Sequence, residues 1–527
     1  MKHWPVGAAV VVLTLLSFYQ FPGHTWLQQD SQIYAPILEH LRDPAVLGKD
    51  ILVERPHVTF TLYDECALAL RRITGLEFRD VLEMEQVVTR ALGIWGFYLM
   101  AAAAGLELAP ALLVTAILSL GAMIAGPQVL IFEFEPTPRA FAVPLLVLAV
   151  GLAAHRRYLG AGVAGSAAFL MHPPTVYPFW AVYACYALLA DRQKRAIAFA
   201  PLLAAAAILF AAARFQTGQS EAQAFFTSVT PLMEKLQRWR APYVWISIWW
   251  KDLLPQYLLL CAIAVAAYWR LRRQMTPELR FFQIGLLAVG MLSMPLSWLF
   301  LEQWKWALMP QFQPLRALLF VTLCAIFSAA CAGCAAVKGR RYMEAIAWFA
   351  AAYLVPVNTS ITSLPDWRRA AVVVALAGMA CMSLRLGRIA VAVTALAAFF
   401  LIPGIGHVVN YPKLNTPEVR QLAAWARSST PVDAVFLFPG AGKDLSPGIF
   451  RSEALRAVYV DWKGGGQVNY LKELGEQWWS RWQEASAGRA PEDYRKLGVD
   501  YLVLRTGAPA AGLRQVFANA RFTVYRL

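Results

Sequence analysis

The 527-residue sequence has little charge. Only 15% of its residues are charged, whereas 58% are hydrophobic, and a soluble globular protein carries about 25% charged residues. This shortage excludes an ordinary soluble domain and indicates a chain that crosses a membrane many times. The formal net charge is +15, but the basic residues fall in short groups between apolar runs, so no nucleic-acid partner is expected.

The sequence also lacks cysteine clusters and internal repeats. Six of its seven cysteines lie in or beside apolar runs, without histidine or carboxylate at ligand spacing. The Cys331-x-x-Cys334 pair lies inside such a run, where cysteine mostly acts as a small hydrophobic residue. No repeat of 20–50 residues is visible. A multi-span transporter or lipid flippase, which commonly has repeated halves, is therefore kept as an alternative rather than as the leading interpretation.

Long apolar runs dominate the first 411 residues. A membrane span needs about 20 mostly apolar residues, and thirteen runs are candidates: 5–22, 87–106, 109–131, 138–154, 158–171, 175–190, 196–213, 253–269, 281–301, 315–337, 342–357, 369–384 and 388–407. The runs at 158–171 and 175–190 are short and also allow a re-entrant pair. Lysine and arginine group in alternate loops, which favours a cytoplasmic N-terminus and an extracytoplasmic C-terminus.

Three long segments then fall on the outer side: 23–86, 214–252 and the tail. Residues 1–411 form the predicted transmembrane domain, and 412–527 form a small extracytoplasmic α/β domain. In this tail, β-branched and aromatic residues predict strands, and capped or periodic segments predict helices. The predicted strands are 434–438, 456–460, 500–504 and 521–527, and the predicted helices begin near Thr416, 467 and 491.

Unusual polar residues gather at the predicted outer face. They follow different spans and include Asp30, Glu133, Glu135, His172, Glu302, Lys305, Gln311, Gln313 and Arg316. Polar groups are costly in a membrane protein. Loops that are far apart in sequence thus offer carboxylates and cations at one depth, which suits a site for a membrane-bound anion and a polar acceptor.

These motifs resemble those of the GT-C superfamily of integral membrane glycosyltransferases. The superfamily includes protein O-mannosyltransferases, aminoarabinose transferases and oligosaccharyltransferases. The carrying residues are Asp30-Ser-Gln-Ile-Tyr34 after the first span, Glu133-Phe-Glu135 after the third, and Gln313-Pro-Leu-Arg316. The many-span body with an outer C-terminal domain is similar as well. Ser31 stands where many relatives carry a second acidic residue, which keeps a non-catalytic scaffold for envelope assembly open as an alternative.

The resemblance implies inverting transfer of a hexose or pentose from a polyprenyl-phosphate donor. The acceptor would be a glycan, a lipid or a protein at the outer face of the membrane. Asp30 would act as general base or acceptor-orienting carboxylate. Arg316 and Lys305 would bind the donor phosphate, for which a guanidinium fork is well suited. Gln32, Tyr34 and Gln313 are expected to contact substrate.

A divalent cation is a further implication of the resemblance. Glu133, Glu135 and His172 would hold the acceptor or Mg²⁺ or Mn²⁺, because hard cations prefer oxygen ligands. The residues alone also allow structural roles: Asp30 as the cap of a helix that begins at Ser31, the two glutamates paired with a nearby arginine, and Arg316 as an interfacial anchor.

One glycine-rich run in the tail carries a separate expectation. The run 461–470, Asp-Trp-Lys-Gly-Gly-Gly-Gln-Val-Asn-Tyr, is a loop that leads into a helix. Its lysine, Lys463, is expected to face the catalytic site and to contact substrate.

Overall fold

The computed structural model describes residues 4–55, 61–189, 192–216, 226–508 and 512–527. Parts of the outer segments 23–86 and 214–252 therefore lie outside the described residues. The described chain is mostly helical, with a small sheet near the C-terminus. Its α-helices are α1 (Trp4–Tyr19), α2 (Ser31–Arg42), α3 (Tyr63–Thr74), α4 (Phe78–Ala103), α5 (Leu108–Ser119), α6 (Pro138–Ala154), α7 (Tyr158–Met171), α8 (Pro173–Leu189), α9 (Arg192–Phe215), α10 (Pro231–Arg240), α11 (Trp250–Leu271), α12 (Pro277–Ser297), α13 (Met309–Phe312), α14 (Leu318–Lys338), α15 (Tyr342–Val357), α16 (Trp367–Leu386), α17 (Arg388–Gly404), α18 (Pro417–Ser429), α19 (Ser446–Ala454), α20 (Lys472–Ser486) and α21 (Pro491–Lys496).

Every apolar run of the sequence contains a helix, but the span count is not confirmed. Within the described residues, four helical segments are long and apolar enough to cross a membrane: Trp250–Leu271, Pro277–Gln303, Met309–Lys338 and Trp367–Leu386. Seven further apolar helices are shorter. The run 109–131 shows one reason why some helices are shorter than the predicted spans. In this run, α5 ends at Ser119, and a hairpin of β1 (Met123–Ile124) and β2 (Val129–Leu130) follows. The chain is an integral membrane protein, while thirteen spans and the sides of the termini stay predictions.

Glycines bring α4 and α6 close together. A Cβ on Gly96 would lie 2.6 Å from Leu148 Cα, and one on Gly151 would lie 2.7 Å from the carbonyl oxygen of Gly96. Small residues allow helix backbones in a membrane to approach in this way. The loop that precedes α6 carries Glu133 and Glu135, and Arg90 of α4 joins it to the end of α1 by donating to the carbonyl oxygens of Ser17 at 2.6 Å and Glu133 at 2.7 Å.

The C-terminal sheet has five strands in the order β4-β3-β5-β7-β6. Its strands are β3 (Val435–Leu437), β4 (Ala457–Val458), β5 (Tyr501–Arg505), β6 (Arg514–Ala518) and β7 (Phe522–Arg526). β3 pairs in parallel with β4 and β5, and β7 pairs antiparallel with β5 and β6. The four predicted strands all occur. The edge strand β6 is missing from the prediction because its half-exposed residues alternate poorly between apolar and polar.

A buried ion triad ties the segment that follows α2 to the C-terminal domain. Arg451 of α19 donates from Nε to Asp50 Oδ2 at 2.6 Å and from Nη2 to Asp461 Oδ1 at 2.5 Å. All three side chains are essentially inaccessible to solvent. Asp50 also accepts the backbone N–H of Val458 in β4. The turn that begins at Asp461 is thereby held against the segment that follows Asp30.

Candidate functional site

Glu135 fixes the turn that presents Asp30. Its Oε1 accepts the backbone N–H groups of Gln28 and Gln29, and its Oε2 accepts that of Ser31 at 2.9 Å. Burial raises the pKa of Glu135, and the three amide donors act in the opposite direction. The second acidic motif therefore holds the backbone of the first one in place.

Asp30 lies between two cations. It precedes α2, but its side chain makes no capping hydrogen bond in the described part of the chain. Instead, Oδ1 accepts Lys463 Nζ at 2.9 Å and Oδ2 accepts Arg139 Nη2 at 3.2 Å. Burial would raise the pKa of Asp30, but Lys463 and Arg139 together bring it well below its usual range. The two cations therefore favour the ionised form of this carboxylate.

Arg139, the second residue of α6, bridges the two acidic motifs. Its Nε donates to Glu133 Oε1 at 3.0 Å while its Nη2 reaches Asp30. The alternative that pairs the two glutamates with an arginine therefore holds for Glu133. Glu135 instead accepts backbone N–H groups. The additional contact of Arg139 with Asp30 is absent from the prediction because it joins residues 109 positions apart.

Arg316 and His172 form a second polar pair. Arg316 lies in the 3₁₀ turn Pro314–Ala317 before α14 and is 5% exposed. Its Nη1 donates to His172 Nε2 at 2.8 Å, so the other ring nitrogen carries the proton and donates to Thr175 Oγ1 at 2.8 Å. Burial, Arg316 and Arg139 lower the pKa of His172 well below its usual value, and the ring is neutral. Arg316 has no carboxylate partner among the described residues, and its Nε has no hydrogen bond there.

Tyr34 lies near both groups. Burial and the Asp30 charge raise the pKa of its hydroxyl, whereas Arg139 and Arg316 act to lower it. The hydroxyl therefore lies within electrostatic reach of both charged groups. We call the set Asp30, Tyr34, Arg139, His172, Arg316 and Lys463 the Asp30–Arg316 cluster.

The C-terminal domain adds a tyrosine beside this cluster. Gln313 has a left-handed backbone (φ 47°) and donates from Nε2 to the Tyr470 hydroxyl at 2.7 Å. Burial raises the pKa of Tyr470, and the nearby Arg316 acts to lower it. Tyr470 ends the glycine-rich run that contains Lys463, so this run delivers two side chains to the site. The sequence analysis singled out the run but not its tyrosine.

Two expected substrate residues, Lys305 and Gln32, make hydrogen bonds to groups outside the Asp30–Arg316 cluster. Lys305 donates to Glu234 Oε1 at 2.6 Å and lies over the ring of Trp245, in a separate ion-pair group. Gln32 is fully buried and donates to the Leu27 carbonyl at 2.9 Å. Lys305 is engaged by Glu234, a partner that sequence spacing does not reveal, whereas the Oε1 of Gln32 has no hydrogen bond among the described residues. Their expected contacts with substrate are not supported by this placement.

The expected Mg²⁺ or Mn²⁺ ligands are each engaged with a hydrogen-bond donor. Glu133 binds Arg139, Glu135 binds three backbone amides, and His172 binds Arg316. Within the described ranges, no group of three or more His, Cys, Asp or Glu side chains is positioned to hold a metal ion. As arranged, this donor set does not fit a metal, so metal dependence stays a prediction and we derive no step through one.

Comparisons with known proteins give one family model and several solved structures. Residues 417–485 match a domain of unknown function, DUF6798, and no curated protein matches the chain. The fold is similar to that of the Archaeoglobus fulgidus oligosaccharyltransferase tethered with an acceptor peptide, at 12% identity and a TM-score of 0.48 over 96% of this chain and 69% of that one.

Two further structures are similar at the same level. Arabinofuranosyltransferase AftD from Mycobacteria is 15% identical with a TM-score of 0.49, over 100% of this chain and 40% of that one. ArnT from Cupriavidus metallidurans, bound to undecaprenyl phosphate, is 14% identical with a TM-score of 0.47, over 100% and 98%. All three structures are GT-C glycosyltransferases, the superfamily that the sequence motifs resemble.

Proposed function

We propose that this chain is a membrane glycosyltransferase that moves a sugar from a polyprenyl-phosphate donor to an acceptor hydroxyl at the outer face of the membrane. The observation that carries the proposal is Arg316, a buried guanidinium without a carboxylate partner among the described residues, in one cluster with Asp30. An unpaired buried charge is costly until a ligand completes it. Phosphate oxygens match the guanidinium fork.

Arg316 supplies positive charge where the leaving group gains negative charge. When the bond between sugar and phosphate breaks, the polyprenyl phosphate keeps the electron pair. One N–H of Arg316 is held by neutral His172, and its remaining N–H groups serve the phosphate. A preorganised cation in a water-poor site stabilises such developing charge strongly.

Asp30 orients the acceptor hydroxyl in this proposal. Its pKa is well below the usual range because Lys463 and Arg139 flank it, so it is a weak base while both cations stay bound. It remains a strong hydrogen-bond acceptor for an incoming hydroxyl group. Between the two roles that the superfamily resemblance implies, the ion pairs favour orientation of the acceptor over removal of its proton.

A single displacement with inversion fits the remaining carboxylates. Retaining transfer by two displacements needs a second carboxylate as a nucleophile near the first. Glu133 is paired with Arg139, and Glu135 is bound by three backbone amides. Neither is free to attack a sugar, so the acceptor oxygen itself would attack the anomeric carbon and invert it, and the hydroxyl proton would pass to the departing phosphate, which keeps the electron pair of the broken bond.

The test is a transfer assay with purified protein in nanodiscs. A panel of polyprenyl-phosphate hexoses and pentoses is offered with glycan, lipid and peptide acceptors, with and without a chelator. We compare the parent with Asp30→Asn and Arg316→Gln, and with the exposed control variants Asp80→Asn and Arg495→Gln.

The parent and both controls should transfer sugar, and both site variants should lose at least about a hundredfold in rate, as for loss of a key electrostatic group. A parent that transfers no sugar from any donor would favour the scaffold alternative. Equal rates for the parent and Asp30→Asn would contradict the role given to Asp30. Loss of transfer with the chelator would restore the metal hypothesis.

A further inference from the structure

A groove lies at the helix ends farthest from the Asp30–Arg316 cluster. Its cavity of about 880 Å³ lies among the ends of α5, α14, α16 and α17. Arg316 lies just before α14, and the groove residue Lys338 ends that helix after 21 residues. At 1.5 Å per residue, this helix spans about 30 Å, so the groove is roughly one membrane thickness away from the cluster.

The groove is strongly basic. Its lining includes the four cations Lys338, Arg340, Arg385 and Arg388. The carboxylate in the lining is Glu107, whose Oε1 lies 3.7 Å from Lys338 Nζ in a pair that is about 80% exposed. An exposed pair of this kind contributes little. The positive charge of the groove is therefore largely uncompensated within its lining.

Apolar side chains continue the same groove toward the helix surfaces. Leu106, Ala109, Leu384 and Val391 lie in its lining beside the cations. Only 39% of the apolar window of the candidate span Trp367–Leu386 is buried within the protein, which leaves most of it accessible to lipid. A ligand that satisfies this lining has an anionic head and an apolar body.

We propose that this groove binds an anionic phospholipid, with its phosphate headgroup held by Arg385, Arg388 and Arg340. Basic pockets between membrane helices hold lipid headgroups in this manner. Topology alone explains basic residues in loops, but it does not require four of them to line one cavity together with apolar side chains. The site is separate from the proposed donor and acceptor residues and does not depend on the proposed function.

Lipid retention tests the proposal. The purified protein is exchanged into phosphatidylcholine nanodiscs that contain a minor fraction of phosphatidylglycerol, and bound lipid is measured by native mass spectrometry after release. The Arg385→Gln/Arg388→Gln variant is compared with the parent and with the control variant Arg157→Gln/Arg273→Gln. The control removes two exposed arginines at the same ends of the helices but outside the groove lining.

The parent and the control should retain phosphatidylglycerol over phosphatidylcholine, and the groove variant should lose roughly fivefold in affinity for each arginine removed. Unfolding temperatures of the three proteins establish that each is folded. Equal retention by the groove variant and the control overturns the proposal. Full displacement of the lipid by inorganic phosphate also overturns it, since the site would then recognise free phosphate.

Discussion

Lys463 and Asp30 are 433 positions apart and form an ion pair of 2.9 Å. The pair links the glycine-rich turn of the C-terminal domain to the turn after the first helix. Lys463 is only 7% exposed and also donates to Gln29 Oε1 at 3.2 Å. The C-terminal domain is therefore part of the proposed site, because it sets the charge and the position of the acceptor-binding carboxylate.

Replacing Lys463 should change the pH dependence of transfer. In Lys463→Met, one of the two cations that lower the pKa of Asp30 is absent, so this pKa should rise. The acid limb of the pH–rate profile should move to higher pH, and the maximum rate should fall roughly ten- to hundredfold with the lost charged hydrogen bond. The exposed control Lys496→Met should keep the parent profile. An unshifted acid limb in Lys463→Met would show that this ion pair does not govern the reaction.

The Asp30 ion pairs should also stabilise the fold above acidic pH. The folded pKa of Asp30 is below its ordinary value of about 4. The stabilisation is therefore complete above that ordinary value and disappears as the pH falls through the folded pKa. Unfolding temperatures should be lower for Asp30→Asn than for the parent at neutral pH, and the difference should shrink in acid. A difference that is the same at neutral and acidic pH would contradict the ion-pair origin.

His172 should act on donor binding through Arg316. In His172→Phe, the Nη1 of Arg316 loses its neutral acceptor, so the guanidinium is no longer held in one orientation. A hydrogen bond to a charged group is worth about 1.5–3 kcal/mol, so the KM for the donor should rise roughly tenfold or more. Initial rates at varied donor concentration measure this change.

The conservative variant His172→Gln separates positioning from folding. Its side-chain oxygen offers Arg316 an acceptor, so part of the donor affinity should return. If His172→Phe and His172→Gln raise the KM equally, the imidazole has a role other than orientation of Arg316.

Sequence patterns predicted the parts of the site that depend on local rules. Asp30, Glu133, Glu135 and Arg316 were found because polar residues beside apolar runs are conspicuous, and Lys463 because three glycines mark a loop. The spacing of these residues in the sequence does not show which side chains pair with one another. Lys305, like Arg316, is a basic residue beside an apolar run in the sequence. In the structure, however, it forms an ion pair with Glu234, which is 71 positions away.

The same limit applies to the fold. Helix positions followed from apolar periodicity, since α6 and α7 match the predicted runs 138–154 and 158–171 at both ends. The sequence analysis did not predict the edge strand β6, because β6 is a strand through its pairing with β7 and its own composition does not indicate one. The sequence analysis also did not predict the triad around Arg451. Each of its members is an ordinary charged residue in the sequence, and only the fold brings Asp50 to Arg451 and Asp461.

We expect a large loss of stability when the triad around Arg451 is broken. In Asp50→Asn, Arg451 remains fully buried with half of its negative partners removed. Breaking a buried ion pair on one side typically costs about 3–5 kcal/mol, because a buried charge is left uncompensated. Thermal unfolding of the purified protein, followed by tryptophan fluorescence, should show a clear fall in the unfolding temperature.

A second ion pair between the same two segments provides the matched control. Lys49 Nζ and Asp433 Oδ2 are 2.8 Å apart, but both side chains are more than half exposed. Because water screens such a pair, Asp433→Asn should leave the unfolding temperature unchanged. If Asp50→Asn and Asp433→Asn lower the unfolding temperature equally, burial of the triad does not account for the attachment of the segment that follows α2 to the C-terminal domain.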